Sequence, residues 1–236
     1  LHVRSRRQRQ MCIRDRITGY IVRNAYAHYF PYIDKYFTPF IPAAKKMSKK
    51  IKRDLAAENN GQIRLVPQLI GNRADEFLMM IRQLEDLGFT SVNLNFGCPS
   101  GTVVSKRKGA GFLEEPEELE MLLEEVLENS PLAVSVKTRV GIKDPDEWEA
   151  LCGVYAKFPL EELIIHPRLQ NDYYSGTPRM ETFARALEQI HVPLCYNGDI
   201  CSVEDYKKVT AAFPAIDRIM ICLLYTSPSP RDTERS

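Results

Sequence analysis

Ser91-Val-Asn-Leu-Asn-Phe-Gly-Cys-Pro-Ser100 is the stretch from which the fold can be read. Its first six residues form a short strand that Gly97 ends. Pro99 restricts Cys98 to extended geometry. A thiol therefore sits just past the strand, heading a loop rich in Gly, Ser and Lys that runs to Gly109-Ala-Gly-Phe112. A cysteine taken alone is most often a small buried hydrophobe. A place at a strand end gives Cys98 a second reading, as a group poised for chemistry, and the other strand ends decide between the two.

Outward from this segment, short β-rich runs alternate with longer helical patterns. Strands are expected over 34–41, 63–70, 91–96, 132–138, 162–166, 193–197 and 215–221, and helices over about 19–29, 72–87, 116–129, 145–157, 178–190 and 202–212. Asn72 before Arg-Ala-Asp-Glu, Pro116 opening a Glu-rich turn, and Ser202 three before Asp205 are helix starts. Gly88 is a helix stop. Such alternation implies a parallel sheet with helical crossovers. No Gly-x-Gly-x-x-Gly follows the first strand, which argues against a dinucleotide-binding domain. Seven strands are counted and the first patterned element is a helix, so an eighth strand belongs before Ile17. The expected fold is α/β, a (β/α)8 TIM barrel lacking its first strand and the end of its last βα unit. A doubly wound open sheet is the competitor.

Charge divides the chain. Residues 1–16 hold six Arg and one Asp, and residues 222–236 hold two Arg, one Asp and one Glu. Residues 17–221 then carry net −4 within a chain of net +1. Both terminal segments read as foreign or disordered, similar to translated adapter sequence, around one barrel domain at 17–221. No apolar run of 18 residues suggests a membrane helix. Cysteines at 12, 98, 152, 195, 201 and 222 form no C-x-x-C pair. That argues against a zinc site and a disulfide scaffold and fits a reducing cytoplasm.

In such a barrel the chemistry lies at the C-terminal strand ends. Those ends carry Gln68, then Asn93, Asn95 and Cys98, then Lys137 and Arg139, then His166 and Arg168, and finally Asn197, Gly198 and Asp199. Each has a bland reading: Gln68 could cap a loop, Lys137 could snorkel to solvent, His166 could be a core histidine, and Asn197-Gly198 is a turn. Five coincident strand ends are harder to dismiss. Lys137 and Arg139 share one strand face and can reach one anionic or electron-rich ligand. Gly198 lets backbone amides approach a phosphate.

The segments Val92-Asn-Leu-Asn-Phe-Gly-Cys-Pro-Ser100, Gly109-Ala-Gly111, Val136-Lys-Thr-Arg-Val-Gly141, Ile165-His-Pro-Arg168 and Asn197-Gly-Asp-Ile200 closely resemble the tRNA-dihydrouridine synthases, in order and spacing, across roughly Ile17 to Ile221. The resemblance implies an FMN-dependent barrel that reduces uridine in tRNA to 5,6-dihydrouridine, with NADPH or NADH as reductant. It implies that Cys98 protonates C5 of uracil while reduced FMN delivers hydride to C6. An ordinary thiol, with a pKa near ~8.5, is protonated at neutral pH and can donate. By the same resemblance Asn95 holds the uracil, and Gln68 and Lys137 contact the isoalloxazine, where a cation stabilises the reduced ring. Arg139 lies at the flavin and substrate face, His166 touches flavin, and Arg168 faces the RNA. Asn197, Gly198 and Asp199 take the ribityl-phosphate end.

The family reading implies a tRNA partner, with no membrane and no metal. The Ser100–Lys108 loop reads either as a mobile basic lid or as a solvated surface loop, which its charge run alone favours. Lys45, Lys46, Lys49, Lys50, Lys52 and Arg53 either track phosphates or form a hydrophilic connection, and Tyr173-Tyr174 either stack on bases or pack in the core. The Ala-Pro-Met-type segment of the family's first strand is absent, as are its Gly-Arg-Gly-type phosphate loop and its tRNA-gripping domain. Two alternatives stay open: an FMN barrel acting on a free pyrimidine or small enone, and an inactive truncated fragment with weak RNA binding.

Overall fold

The computed structural model of the protein describes residues 8–12, 19–61 and 63–222. In chain order these hold β1 (Gln8–Cys12), α1 (Tyr20–Tyr29), β2 (Lys35–Phe37), β3 (Ile41–Pro42), α2 (Lys49–Leu55), α3 (Ala57–Asn60), β4 (Leu65–Val66) and β5 (Gln68–Ile70). Next come α4 (Ala74–Glu85), β6 (Ser91–Phe96), α5 (Gly101–Val104), a 3-10 helix (Gly109–Glu114), α6 (Pro116–Asn129) and β7 (Ala133–Arg139). The chain continues through α7 (Glu147–Tyr155), β8 (Leu163–His166), α8 (Met180–Gln189), β9 (Leu194–Tyr196), α9 (Val203–Ala212) and β10 (Arg218–Cys222).

All strand pairings are parallel, in the order β3-β5-β6-β7-β8-β9-β10-β1-β2-β4. The two ends of this series meet at Pro67, since β4 and β5 are halves of one strand that Pro67 interrupts. Proline has no N–H to give a ladder. The N–H of Gln68 instead donates to Thr38 Oγ1 at 2.9 Å, and the strand changes partner there from β2 to β3. With β2 and β3 taken as one strand and β4 and β5 as another, eight strands close into a ring with helices outside, a TIM barrel.

Two expectations need correction. The first strand, expected to be missing, has its place filled by β1, paired in register with β10 (Gln8↔Arg218) and with β2 (Gln10↔Lys35). Gln-Arg-Gln-Met-Cys has too few apolar residues to read as a barrel strand. The basic stretch after β3 is largely helical, as α2 and α3, capped by Ser48, whose side chain accepts from the Ile51 N–H. Residues 1–7, 13–18 and 223–236, which hold the remainder of the segments read as foreign, lie outside the described residues.

The main core lies between ring and helices. Phe77, Ile81 and Leu84 of α4, Leu119, Leu123 and Val126 of α6, and Trp148, Leu151 and Tyr155 of α7 are buried against outward-facing Leu94, Phe96 and Val136. Each fully buried side chain of this size contributes about 1.5–3 kcal/mol. Inside the ring a second cluster, Phe37, Val66, Ile164, Cys195 and Met220, fills the middle. Below it, near the N-terminal strand ends, the Glu162 carboxylate accepts from Lys35 Nζ at 3.3 Å and Arg218 Nη1 at 3.2 Å. With the lower half packed, the C-terminal half is left for polar groups.

Candidate active site

Register builds the site. Asn95 pairs with Lys137, Lys137 with Ile164, and Ile164 with Cys195, so these side chains form one row across four strands. Ile164 lies in the inner cluster, which fixes the row as inward-facing. Two residues on, by the strand period of two, His166 and Asn197 point the same way at the C-terminal end.

Gln68, Asn93 and Asn95 are buried and form a closed amide network. Gln68 Nε2 donates to Asn93 Oδ1 at 2.9 Å, and Asn95 Nδ2 donates to Gln68 Oε1 at 2.8 Å. Asn93 Nδ2 donates to Ser135 Oγ at 3.0 Å, and Ser135 Oγ donates to Val92 O at 3.1 Å. Asn95 Oδ1 accepts the N–H of Gly97 at 2.9 Å and of Cys98 at 3.0 Å. The carboxamide of Asn95 therefore ties the strand, the turn and Gln68 together, and leaves Cys98 half-buried at the mouth. Thr38 and Ser135 are supports that the reading of the strand ends did not name, and Asn93, named there without a role, links them to Gln68. Their signal is the period of two, which places Asn93 on the face of Asn95.

Two glycines let the thiol loop fold tightly. Gly109 has φ +56°, and a Cβ there would lie 2.8 Å from Cys98 O and 3.0 Å from Cys98 Cβ. At Gly111 a Cβ would lie 2.8 Å from Val104 O. The Ala110 N–H donates to Cys98 O at 3.0 Å. The Ser100–Lys108 stretch, read as a lid or a surface loop, contains α5; Asn72 Nδ2 donates to Lys106 O at 3.2 Å, and Arg107 meets Glu118 at 3.1 Å.

Lys137 is half-buried inside the ring, and its ammonium makes no hydrogen bond or ion pair among the described residues. His166 is buried, and its pKa is held well below the usual histidine range. Burial is the main cause, followed by the positive charges of Arg139, Lys137 and Arg168, against a hydrogen bond with Asn197. The imidazole is therefore neutral at pH 7. Asn197 is fixed by its Nδ2 donating to Met220 O at 3.0 Å. Gly198 is a packing necessity, since a Cβ would fall 2.2 Å from Tyr196 Oη.

The two arginines stand differently from expectation. Arg139 is buried, and its Nε, Nη1 and Nη2 donate to the carbonyls of Gly97 (3.0 Å), Leu169 (2.7 Å) and Tyr173 (2.6 Å), while its guanidinium lies 5.4 Å from the centre of the Tyr174 ring. Arg168, expected to face RNA, is 1% exposed. It binds Asp199 through both carboxylate oxygens (2.6 and 2.5 Å) and donates to Ser175 O at 3.0 Å and to Gly176 O. Five donors in a rigid fork suit arginine to this work. Together the pair clamps the 169–176 loop over the barrel mouth, with Tyr173 and Tyr174 exposed at its tip. Gln170 Nε2 reaches Pro99 O at 3.4 Å, joining this loop to the thiol loop. Asp199 thus meets an arginine, and its charge is balanced.

Among the described residues no group of three or more His, Cys, Asp or Glu is placed to hold a metal ion, and no helix is long and apolar enough to cross a membrane. Solved structures with similar folds include histamine dehydrogenase from Rhizobium sp. 4-9 (TM-score 0.68, 9% identity, 92% of this chain and 43% of that one). Morphinone reductase in complex with tetrahydroNAD is another (TM-score 0.65, 10% identity, 95% and 89%). At such identities they show the barrel fold alone. Among curated relatives, the tRNA-dihydrouridine(16) synthase of Pseudomonas putida is 34% identical over 125 residues, 52% of this chain and 39% of that protein. The tRNA-dihydrouridine synthase B of Pasteurella multocida is 27% identical over 175 residues, 74% and 52%. The chain spans about half or less of the length of these relatives. The family described as Dihydrouridine synthase matches residues 14–223, a span that includes every strand end described above. The chain belongs to the dihydrouridine synthase family.

Proposed function

We propose that this chain is the catalytic barrel of an FMN-dependent oxidoreductase that reduces uridine in tRNA to 5,6-dihydrouridine, drawing electrons from NADPH or NADH in the cytoplasm. The observation that carries the reading is the amide network that holds Cys98 at the barrel mouth, together with a cation inside the ring, Lys137, that has no hydrogen bond or ion pair among the described residues. Lys137 inside the ring suits an electron-rich ring that becomes anionic on reduction, and neutral His166 adds no further charge. The residues therefore fit a flavin. Gln68, Lys137, His166, Asn197, Gly198 and Asp199 would hold it, with Asp199 kept from repelling a phosphate by its pairing to Arg168. When bound, FMN supplies the hydride for C6 of the uracil.

The chain's own groups do the rest. Cys98 releases its thiol proton to C5, and hydride plus proton saturate the C5–C6 bond. Asn95 Nδ2 uses one hydrogen on Gln68 and has a second to offer a uracil carbonyl. Arg139 and Arg168 act by holding the loops around the base. The test combines flavin retention with product analysis. After mixing with FMN and gel filtration, the chain is expected to keep a flavin absorption band, and Lys137→Met to weaken it. Cys98→Ala is expected to retain flavin and to stop dihydrouridine formation in an unmodified tRNA transcript. Near-normal product from Cys98→Ala would remove Cys98 from its role. Turnover of free uracil without turnover of tRNA would replace the RNA reading with that of a small-pyrimidine reductase.

A further inference from the structure

Outside the site, the most uneven feature of the surface is the segment from Lys45 to Arg53. Lys45, Lys46, Lys49, Lys50, Lys52 and Arg53 are all exposed. None of their side chains has a hydrogen bond or ion pair among the described residues. The segment contains no acidic residue, so the rest of residues 17–221 holds 18 Lys and Arg against 28 Asp and Glu, net −10. Such a distribution sets this segment apart as a concentrated positive patch on an otherwise net-acidic domain.

The backbone beneath the patch is held firmly. Arg23 of α1, 0% exposed, donates through Nη1 to Asp54 Oδ2 at 3.0 Å, through Nη2 to Asp54 O at 2.8 Å, and through Nε and Nη2 to Asn60 Oδ1 at 3.2 and 2.7 Å. The nearest acid in sequence, Asp54, is thus turned inward and away from the lysines. Ahead of α2, the Met47 N–H donates to Gln83 Oε1 at 3.0 Å, and Gln83 Nε2 donates to Lys45 O at 3.3 Å. The patch follows β3, which pairs with β5, which pairs with β6, the strand that delivers Cys98. Two strand spacings place these two βα segments about 10 Å apart around the ring.

We propose that this patch, α2 with the segment leading into it, is an RNA-backbone docking surface, reading phosphate rather than base. The inference rests on the reading of the chain as acting on RNA and names where on the barrel the polyanion lies. Compact ammonium groups on flexible stems suit sequence-independent phosphate contact.

The test is the salt dependence of binding to an unmodified tRNA transcript, with flavin retention read on the same preparations. The sixfold variant Lys45→Ala, Lys46→Ala, Lys49→Ala, Lys50→Ala, Lys52→Ala, Arg53→Ala removes exposed side chains only, and its fold is checked by circular dichroism. Each lost phosphate contact flattens the slope of log K against log salt by about 0.7–0.9. A flattening of about 3 or more, with at least a tenfold loss of affinity at low salt, is expected. The all-arginine version of the patch should keep the slope, and a matched control on α9, Lys207→Ala with Lys208→Ala, should leave it unchanged. An unchanged slope in the sixfold variant would overturn the proposal, as would an equal effect from the α9 control, no binding to tRNA at all, or binding that the patch directs to anionic vesicles instead. Flavin retained with an unmoved slope would sink the docking surface alone. Flavin lost from the parent chain while the slope still flattens would sink the flavoenzyme reading and leave an RNA-binding face.

Discussion

Asn95 Oδ1 accepts the Cys98 N–H at 3.0 Å, so the reactive loop is held by the side chain of the strand that delivers it. The same oxygen accepts the Gly97 N–H, and the amide nitrogen donates to Gln68 Oε1. Asn95→Ala leaves two backbone donors and one amide oxygen without partners. At about 1–3 kcal/mol for each unsatisfied buried group, partly relieved by water at the mouth, a loss of about 2–4 kcal/mol is expected in urea unfolding. A loss below 1 kcal/mol would show that the turn holds itself.

The Arg168–Asp199 pair is half protected, with Arg168 buried and the Asp199 side chain 35% exposed. Breaking a buried pair costs 3–5 kcal/mol, so Asp199→Ala is expected to cost somewhat less, about 2–3 kcal/mol. Arg168→Met combined with Asp199→Ala should cost less than the sum of the single changes, because no stranded charge remains. Simple additivity in this double-mutant cycle would mean that the two groups act independently.

Gly109 and Gly101 make a matched contrast on one loop. Gly109→Ala meets both a left-handed backbone and a contact of 2.8 Å with Cys98 O, and should cost about 2–4 kcal/mol. Gly101→Ala finds nothing within 4 Å at the start of α5 and should be neutral or stabilising by up to about 1 kcal/mol. Thermal melting of the two variants separates the cases.

His166 sets an acid limit. Its folded-state pKa is lowered, chiefly by burial and then by Arg139, Lys137 and Arg168. The unfolded chain therefore takes up a proton below about pH 6.5 that the folded chain refuses. This contribution to stability is complete above about pH 6.5 and falls as pH drops, by at most about 1.4 kcal/mol per pH unit for one proton. Urea unfolding of His166→Gln between pH 7.5 and 5 should lack that component. Parallel curves for parent and variant would contradict the burial argument.

The sequence made the sheet legible wherever a strand is apolar and ends at a glycine or proline, and Ser91–Phe96 is read to the residue. It failed at β1, which opens on three polar residues and resembles no barrel strand, and at α2, where four basic residues mask the half-buried Ile51 and the buried Leu55. At the site, residue types pointed to strand ends but not to the partners of each side chain. Lys137 is available for a ligand, whereas Arg139 and Arg168 are consumed by backbone carbonyls and Asp199. Nothing in the spacing of basic residues separates a cation that greets a ligand from one that fastens a loop. That distinction depends on where the 169–176 loop returns.

Pro67 gives the ring a clasp. Around most of the circumference, adjacent strands hold each other by backbone ladders, but at this proline the connection passes through the Thr38 hydroxyl and shifts from one short partner to the next. A cylinder built this way has a seam, where a side chain stands in for a ladder bond. That seam lies at Gln68 itself, so the amide network that fixes Cys98 is anchored where the ring is joined.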